Sequence, residues 1–387
     1  MKIALVHDYL VEAGGAERVL AALHELFPDA PIYTSVYDPR TALPALRGAR
    51  IVTSFLQKLP HSRRVYKWWL PLYPMAFEQF DLAGYDVVIS SSSAFAKGVI
   101  TGPETLHISY CYTPSRFAWR YHEYLRREPA GLGRRLALPF LLYSLRTWDV
   151  SAAQRVDDFL TTCQNTAQRI RKVYGRSAEI IYAPVDTDFY TAGPGAGGAA
   201  EPAPDFALRA APAGPFFLLA SRLAPYKRAD LAVIACTRLG LPLVVVGDGI
   251  GRKALQRLAG PTVRFAGHVS DVTLREYYRR CAALIFPGEE DFGLVPLEAN
   301  ACGRPVIAFQ AGGALETVVE GVTGTFFDAQ TPDSLAGVLR RFDPLAYDPA
   351  ALRRHALQFD KRVFQRRILH YIRARVPAVA DLAVVAA

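Results

Sequence analysis

Sulfur chemistry is scarce in this chain of 387 residues. Its five cysteines, Cys111, Cys163, Cys236, Cys281 and Cys302, show no Cys-x-x-Cys spacing and no nearby histidine pair, which argues against both a zinc site and a disulfide framework. That usage fits a reduced, cytoplasmic setting. Long apolar runs are missing too: nothing approaches the roughly 18 to 20 residues a spanning helix needs, so any membrane contact is expected to be peripheral. The stretch from Met1 to Val6 enters a strand directly and lacks a secretory apolar segment. Acidic residues are outnumbered, 36 Asp and Glu against 45 Lys and Arg, and the net charge of +9 fits an anionic partner such as nucleotide phosphates, nucleic acid or a membrane surface. No helix-turn-helix, zinc-finger or RNA-recognition pattern accompanies the charge, so nucleic acid is not the expected partner. There is also no Gly-x-x-x-x-Gly-Lys-Ser/Thr sequence, which argues against a P-loop phosphoryl transferase.

What the chain does contain is a repeated alternation of short apolar strands and helices. Its length exceeds what one core usually fills and implies two or three domains. Lys2 to His7, Pro31 to Val36, Ile51 to Phe55, Val87 to Ser90 and Ile108 to Tyr112 read as strands of a parallel sheet. A helix is predicted from about Glu17 to Leu26, with Val19, Leu20, Leu23 and Leu26 on one face. The alternation restarts with strands Phe216 to Ala220, Leu243 to Val246, Val263 to Ala266 and Ala282 to Phe286, separated by helices near Arg228 to Leu239, Arg252 to Leu258 and Asp271 to Cys281. Between the halves, Thr191 to Gly214 has the alanine, glycine and proline content of a linker. A basic amphipathic helix follows from about Phe359 to Ala374, and a loose apolar tail after Pro377. The expected class is α/β, with domains over 1–190 and 215–355, a linker over 191–214 and a terminal segment over 356–387.

Two segments leave alternatives open. Gln57 to Trp69 mixes Lys58, His61, Arg63, Arg64 and Lys67 with Leu59, Val65, Tyr66, Trp68 and Trp69, which suits either a membrane interface or a surface helix packed through its aromatics. Gly247-Asp-Gly-Ile-Gly251 follows a strand and precedes a helix, so it reads either as a tight turn or as a dinucleotide loop of an NAD(P)-dependent oxidoreductase, although its spacing is not Gly-x-Gly-x-x-Gly. The run Arg134 to Arg146 has an apolar middle too short to span a bilayer and reads as a core helix.

The chemistry-bearing stretch is Phe286 to Pro305, which reads as strand end, loop, short helix and turn. Pro296 suits the first helical position, where its missing N–H costs nothing, and Gly303 suits the end. Glu290 then lies in the loop after a strand and Glu298 in the first helical turn, where open α/β sheets bind ligands. A dipole partner for Glu298 and a solvated charge for Glu290 are the plain alternatives. Arg222, Lys227 and Arg228 fall at the start of a helix, the end that carries partial positive charge, so the pattern calls for an anion such as a diphosphate between them.

Four places carry a family resemblance: Ala13-Gly-Gly-Ala-Glu17, Ser221-Arg-Leu-x-x-x-Lys227, Glu290-Asp-Phe-Gly-Leu-x-x-x-Glu298, and Gly303-x-Pro-Val-Ile. Together they resemble the retaining glycosyltransferases of family 4. The likeness is nearest to bacterial O-antigen and exopolysaccharide mannosyltransferases, through Ala96-Lys-Gly-Val, Tyr110-Cys-Tyr-Thr-Pro, Trp148-Asp, Val185-Asp-Thr-Asp and Gly312-Gly-Ala-Leu-Glu-Thr-Val318. The resemblance implies a GT-B fold, two Rossmann-like domains with parallel sheets facing across a cleft and a C-terminal helix crossing back to the first domain. It implies transfer of a hexose, mannose from GDP-mannose, to a polyprenyl-linked or oligosaccharide acceptor, at the inner face of the plasma membrane or in the cytoplasm. Glu290 would contact the donor sugar and Glu298 the ribose. Phe292, Gly293 and Leu294 would hold sugar and phosphates through backbone N–H groups, Arg222 and Lys227 would neutralise the diphosphate, and Gly15 would approach it. No metal or other cofactor is expected, since the cations take that role. Where many relatives have a histidine, this chain has Tyr112, which implies either an altered sugar contact or weaker activity, the latter leaving a non-catalytic nucleotide-sugar-binding protein as an alternative; His107 does not match that position and reads as a structural strand-end residue.

Overall fold

The computed structural model describes residues 1–119, 132–193 and 212–376. Most of the predicted linker, and the tail after Pro377, lie outside these residues. The described chain divides into two compact units, Met1–Pro184 with Phe364 onward, and Val185–Val363.

Unit 1 is built on seven parallel strands: β1 Ile3–His7, β2 Ile32–Thr34, β3 Ile51–Thr53, β4 Val87–Ser92, β5 Leu106–Cys111, β6 Asp158–Thr161 and β7 Glu179–Ile180, in the order β3-β2-β1-β4-β5-β6-β7. Unit 2 has six, β8 Phe217–Ala220, β9 Leu243–Val246, β10 Val263–Gly267, β11 Ala283–Phe286, β12 Val306–Phe309 and β13 Gly324–Phe327, in the order β10-β9-β8-β11-β12-β13, also all parallel. Every residue of β1, β4, β8, β9 and β11 is buried. That is why Ile3–Val6, Val87–Ile89, β8, β9 and β11 read as continuous apolar runs: helices cover both faces of each sheet. In unit 2, Leu231, Val233, Ala235 and Cys236 of the helix Ala229–Leu239 pack with Leu219, Leu243, Val245, Ile285 and Ile307.

The strand order reverses direction between β1 and β4 in unit 1 and between β8 and β11 in unit 2. At such a switch point the loops leaving two adjacent strands run to opposite faces and open a crevice at their carboxyl ends. After β1 the loop ends at Gly14, and Gly15 opens the following helix. The loops after β8 and β11 hold Arg222–Lys227 and Glu290. Topology therefore collects these segments at the ligand-binding ends of their own sheets.

The unit boundaries fall at Pro184 and Phe364, earlier than residue 190 and later than residue 356, because Val185–Tyr190 is tied to the last helices. Val185 N–H donates to Phe359 O (2.9 Å), Lys361 N–H to Val185 O (3.0 Å), and Arg353 to Thr187 O (2.7 Å). The final helix, Lys361–Arg373, passes into unit 1, where Phe364 meets Tyr110 edge-on at 5.6 Å and Gln365 donates to Ala22 O. Of the helix Leu132–Gln154 only one face is core: Leu142 and Leu145 are buried, whereas Phe140 and Tyr143 are 77% and 68% exposed. In the Gln57–Trp69 segment, Leu59 and Trp69 pack against the core while His61 and Arg63 are exposed; the side chains of Arg64 to Trp68 lie outside the described residues.

His107 sits within β5 rather than at a strand end, wholly buried, its Nε2 2.9 Å from Ser90 Oγ. Burial, with Arg155 as a lesser cause, pushes its pKa down to about 3. Below the ordinary value of 6.5 the unfolded chain takes up a proton that the folded chain refuses until about pH 3. Stability contributed by this residue is therefore present above pH 6.5 and lost as pH falls, at about 1.4 kcal/mol per pH unit. Urea unfolding of His107→Gln between pH 7 and pH 4 should show a shallower loss than the parent; parallel pH profiles would contradict the assignment.

Candidate functional site

In unit 2 the two strands at the switch point end in loops that touch. After β8 the chain runs through Ser221-Arg222-Leu223 into the tight turn Pro225–Lys227, and then through Arg228 in the left-handed region (φ 53°) into the helix Ala229–Leu239. After β11 comes Gly288, where a Cβ would lie 2.9 Å from Lys227 O, so the two backbones are in contact. Lys227 Nζ meets Glu290 Oε2 at 2.5 Å, with both side chains mostly shielded. Arg228 is turned away to Asp230 (Nε–Oδ1 3.1 Å) and Gln330 O, and Arg222 donates to the Tyr226 hydroxyl at 3.1 Å. Three cations that the sequence groups together thus separate: Lys227 joins the acidic loop, Arg228 is neutralised in the first turn of its own helix, and Arg222 is exposed beside the turn.

The Gly247–Gly251 loop supports this arrangement. A Cβ at Gly247 would fall 2.0 Å from Ser221 O and one at Gly249 2.6 Å from Leu223 O, while Leu223 N–H donates to Asp248 O at 2.8 Å and Gly251 N–H to Leu223 O at 2.9 Å. The glycines are needed so that this turn can lie against the Ser221–Leu223 backbone. They serve as the tight turn, and Asp248 spends its carboxylate on Gly249 N–H and Arg252.

The helix after Glu290 begins earlier than its proline suggests, spanning Leu294–Ala301 with Gly293 as N-cap. Pro296 is its third residue, still in the turn whose amides have no helical acceptor, so proline is tolerated there as well. Glu298 consequently falls beyond the first turn and cannot serve mainly as a dipole partner there. It is buried, and its Oε2 accepts from the hydroxyl of Tyr278 at 2.8 Å. Burial first, and then the Glu298 charge, push the Tyr278 pKa well above 10, so the phenol keeps its proton for this bond. Nothing in the sequence singles out Tyr278; it comes from the neighbouring helix Asp271–Arg280. Tyr278→Phe is expected to cost about 1–3 kcal/mol of stability by leaving a buried carboxylate short of a donor. An unchanged urea midpoint would refute that.

A second pair of glycines shapes the acidic loop from below. Gly313 N–H donates to Glu290 O at 2.9 Å, and a Cβ on Gly313 would lie 2.3 Å from both Cα and O of Phe292. Glu290, Phe292, Gly293, Leu294, Glu298, Arg222 and Lys227 all belong to unit 2, and the Lys227–Glu290 pair joins its two halves.

In unit 1, Gly15 is the first residue of the helix Gly15–Leu26. Tyr112 lies one residue past β5, and its hydroxyl donates to Ala16 O (3.1 Å), so it sits against the glycine loop. Two further features of this unit escaped sequence reasoning. The buried Asp8 carboxylate accepts from the backbone N–H groups of Ser93, Ala94, Phe95 and Ala96 at 2.6 to 3.0 Å, anchoring the loop after β4 to the end of β1. Behind it Lys97 and Asp149 form a buried ion pair at 2.5 Å, and Asp149 also accepts from Ser115, Trp119 and Tyr174. Among the described residues no cluster of three or more His, Cys, Asp or Glu side chains is placed to hold a metal ion, and no helix is long and apolar enough to cross a membrane.

Two family models match the chain, one described as Glycosyltransferase Family 4 over residues 13–189 and one as Glycosyl transferases group 1 over residues 204–343. The chain belongs to glycosyltransferase family 4. A D-inositol 3-phosphate glycosyltransferase of Jonesia denitrificans is 34% identical over 175 residues, 40% of this chain and 41% of that relative. A GDP-mannose-dependent alpha-mannosyltransferase of Mycolicibacterium smegmatis is 39% identical over 108 residues, 28% of each. The matched part thus spans well under half the length of these relatives. Among solved structures, HepE of Anabaena in complex with UDP and glucose superposes with a TM-score of 0.70 at 18% identity, covering 97% of this chain and all of that one. Sucrose-phosphate synthase from Thermosynechococcus elongatus gives 0.74 at 18% identity, covering 98% of this chain. At such identities the structures establish the GT-B fold, two Rossmann-like parallel-sheet domains, and that is the architecture of this family 4 glycosyltransferase.

Proposed function

We propose that this glycosyltransferase moves a hexose, mannose from GDP-mannose, to a polyprenyl-linked or oligosaccharide acceptor in the synthesis of a cell-surface polysaccharide, with retention at the anomeric carbon. The observation that carries the reading is the Lys227–Glu290 pair at the switch point of unit 2, with Glu298 buried on the helix that follows. A cation and a carboxylate on adjacent loops suit the two ends of a sugar diphosphate: ammonium toward phosphate, carboxylate toward sugar hydroxyls. Glu298 takes the ribose hydroxyls, the N–H groups from Phe292 to Leu294 face sugar and phosphate, and Gly15 is the donor-binding position of unit 1. The mannosyl donor is supported by the GDP-mannose-dependent relative and by the sequence likeness to mannosyltransferases.

The chemistry is stabilisation of a leaving group. As the bond from the anomeric carbon to the diphosphate oxygen breaks, its electron pair stays on the phosphate, where Arg222 and Lys227 offset the growing charge. The acceptor hydroxyl closes on the oxocarbenium-like carbon from the face the diphosphate leaves and passes its proton to the departing phosphate oxygen, so no protein carboxylate need act as nucleophile or base. The cations supply the charge that a divalent metal would otherwise bring. Exposed His61 and Arg63, with Phe140 and Tyr143 on the helix Leu132–Gln154, support peripheral residence on the anionic inner face of the plasma membrane.

Thermal unfolding with a panel of GDP-mannose, UDP-glucose and NAD(P)H tests the donor assignment, since a ligand of the native state raises its midpoint. Protection by GDP-mannose and mannosyl transfer to a polyprenyl-linked acceptor are expected. Protection by UDP-glucose alone would replace the sugar and base, and protection by NAD(P)H alone would favour an oxidoreductase. Absence of flotation with anionic liposomes would remove the membrane assignment.

A further inference from the structure

Three buried polar side chains of unit 1, with the half-buried Tyr112, lie in a row beneath the glycine loop. His7 closes β1, Ser91 lies on β4, Tyr112 follows β5, and Glu17 stands in the first turn of the helix Gly15–Leu26. His7 Nδ1 is 2.9 Å from Ser91 Oγ, and Ser91 Oγ is 2.8 Å from the Tyr112 hydroxyl, which donates to Ala16 O at 3.1 Å. In the other direction His7 Nε2 is 3.5 Å from Glu17 Oε1, while Glu17 Oε2 accepts from Gly14 N–H at 2.8 Å. His7, Glu17 and Ser91 are 2%, 4% and 0% exposed. The loop is thus tied at Ala16, through Tyr112 and Ser91, to the ends of β5 and β4 with His7 of β1 behind them, while Gly14 is held by Glu17 of its own helix.

The hydrogen count sets the direction of the chain. A phenol has one proton, and burial raises the Tyr112 pKa well above 10, so that proton stays and goes to Ala16 O. Ser91 must then donate to the Tyr112 oxygen, and Ser91 in turn accepts from His7 Nδ1–H. A tyrosine so engaged has no proton left for a sugar. Phenylalanine would fill the same space but leave Ala16 O and Ser91 without their partner.

We propose that Tyr112 is a positioning residue: oriented by Ser91 and His7, its hydroxyl pins the first turn of the helix Gly15–Leu26 in the geometry that meets the anionic part of the donor. This rests on the transferase reading above and replaces a direct sugar contact by Tyr112. A helix leaves its first amides without internal partners, and their usefulness to an anion depends on how firmly they are aimed.

The test compares wild type, Tyr112→Phe and Ser91→Ala by amide hydrogen exchange of the ligand-free protein and by transfer kinetics. Loss of one neutral hydrogen bond should speed exchange of the Arg18 to Leu20 amides, whose bonds close the first turn, roughly fivefold, with the helix Ala229–Leu239 unaffected as internal reference. Because charge on the leaving diphosphate grows in the transition state, kcat should fall about tenfold while the donor KM moves less than about twofold. Unaltered exchange in Tyr112→Phe overturns the inference, as does faster exchange with kcat unchanged. A KM rise with kcat preserved overturns it too, since that pattern marks a ground-state contact. If the wild type turns over no donor, the transferase reading fails, and the exchange result alone then upholds or overturns the pinning.

Discussion

Sugar transfer by Lys227→Ala and by Glu290→Ala is expected to fall about 10²–10³-fold in kcat, while each protein still unfolds cooperatively. The size follows from where the pair sits. Lys227 and Glu290 are 2.5 Å apart with side chains only 16% and 19% exposed, so each holds the other in place before any ligand arrives. Removing the lysine takes away the cation aimed at the leaving diphosphate and leaves Glu290 free to swing. Removing the glutamate takes away the sugar contact and leaves Lys227 without its guide. Neither side chain belongs to the apolar core of unit 2, so folding should survive. Purified variants assayed across several nucleotide sugars, with circular dichroism as the folding control, decide the matter. Full activity in either one sinks the site.

Asp149→Asn should be the most destabilising single substitution proposed for unit 1. Lys97 and Asp149 are each 2% exposed, and Lys97 has the Trp148 and Tyr174 rings 5.9 and 5.4 Å from its Nζ. Breaking such a pair by removing one charge leaves the other stranded in low dielectric, at a cost of about 3–5 kcal/mol. In a unit of this size that is a fall in Tm on the order of 10 °C. The double variant Lys97→Met/Asp149→Leu removes both charges and should recover part of the loss, which a double-mutant cycle measures directly. A midpoint within about 2 °C of wild type for Asp149→Asn would show that Lys97 finds another partner.

Much of the fold was legible because parallel sheets write themselves plainly in sequence. β9 and the helix Arg252–Leu258 fall where their apolar pattern puts them, and β1, β8 and β11 differ by one residue at an end. Strands β6, β7 and β13 carried weaker signals. β7 has two residues, one exposed and one half-buried, and β13, at a sheet edge, buries only its two end residues. The helix Leu294–Ala301 was placed two residues late because proline favours a first turn without specifying which position in it.

The candidate site was legible residue by residue but not as an arrangement. Sequence placed Arg222, Lys227 and Arg228 in one cationic turn, and only the left-handed backbone at Arg228 separates the lysine, which meets Glu290, from the arginine, which meets Asp230. The motifs Ala96-Lys-Gly-Val and Trp148-Asp stood out as unrelated fragments; folding joins them, with Lys97 on Asp149 and Gly98 so close to the Trp148 ring that a Cβ would come within 2.3 Å of it. Tyr278 gave no signal, since a buried tyrosine is ordinary until the carboxylate it serves is known.

By itself the sequence determined the α/β class, the two-sheet organisation and the identity of the charged and glycine-rich loops, because apolar periodicity and turn chemistry are local properties of the chain. Tertiary structure alone decided that the loops after β8 and β11 touch, that Glu298 is buried on Tyr278, and that His7, Ser91 and Tyr112 line up beneath the glycine loop. Those contacts join residues tens of positions apart, and strand order, which local pattern does not encode, is what brings them within hydrogen-bonding distance.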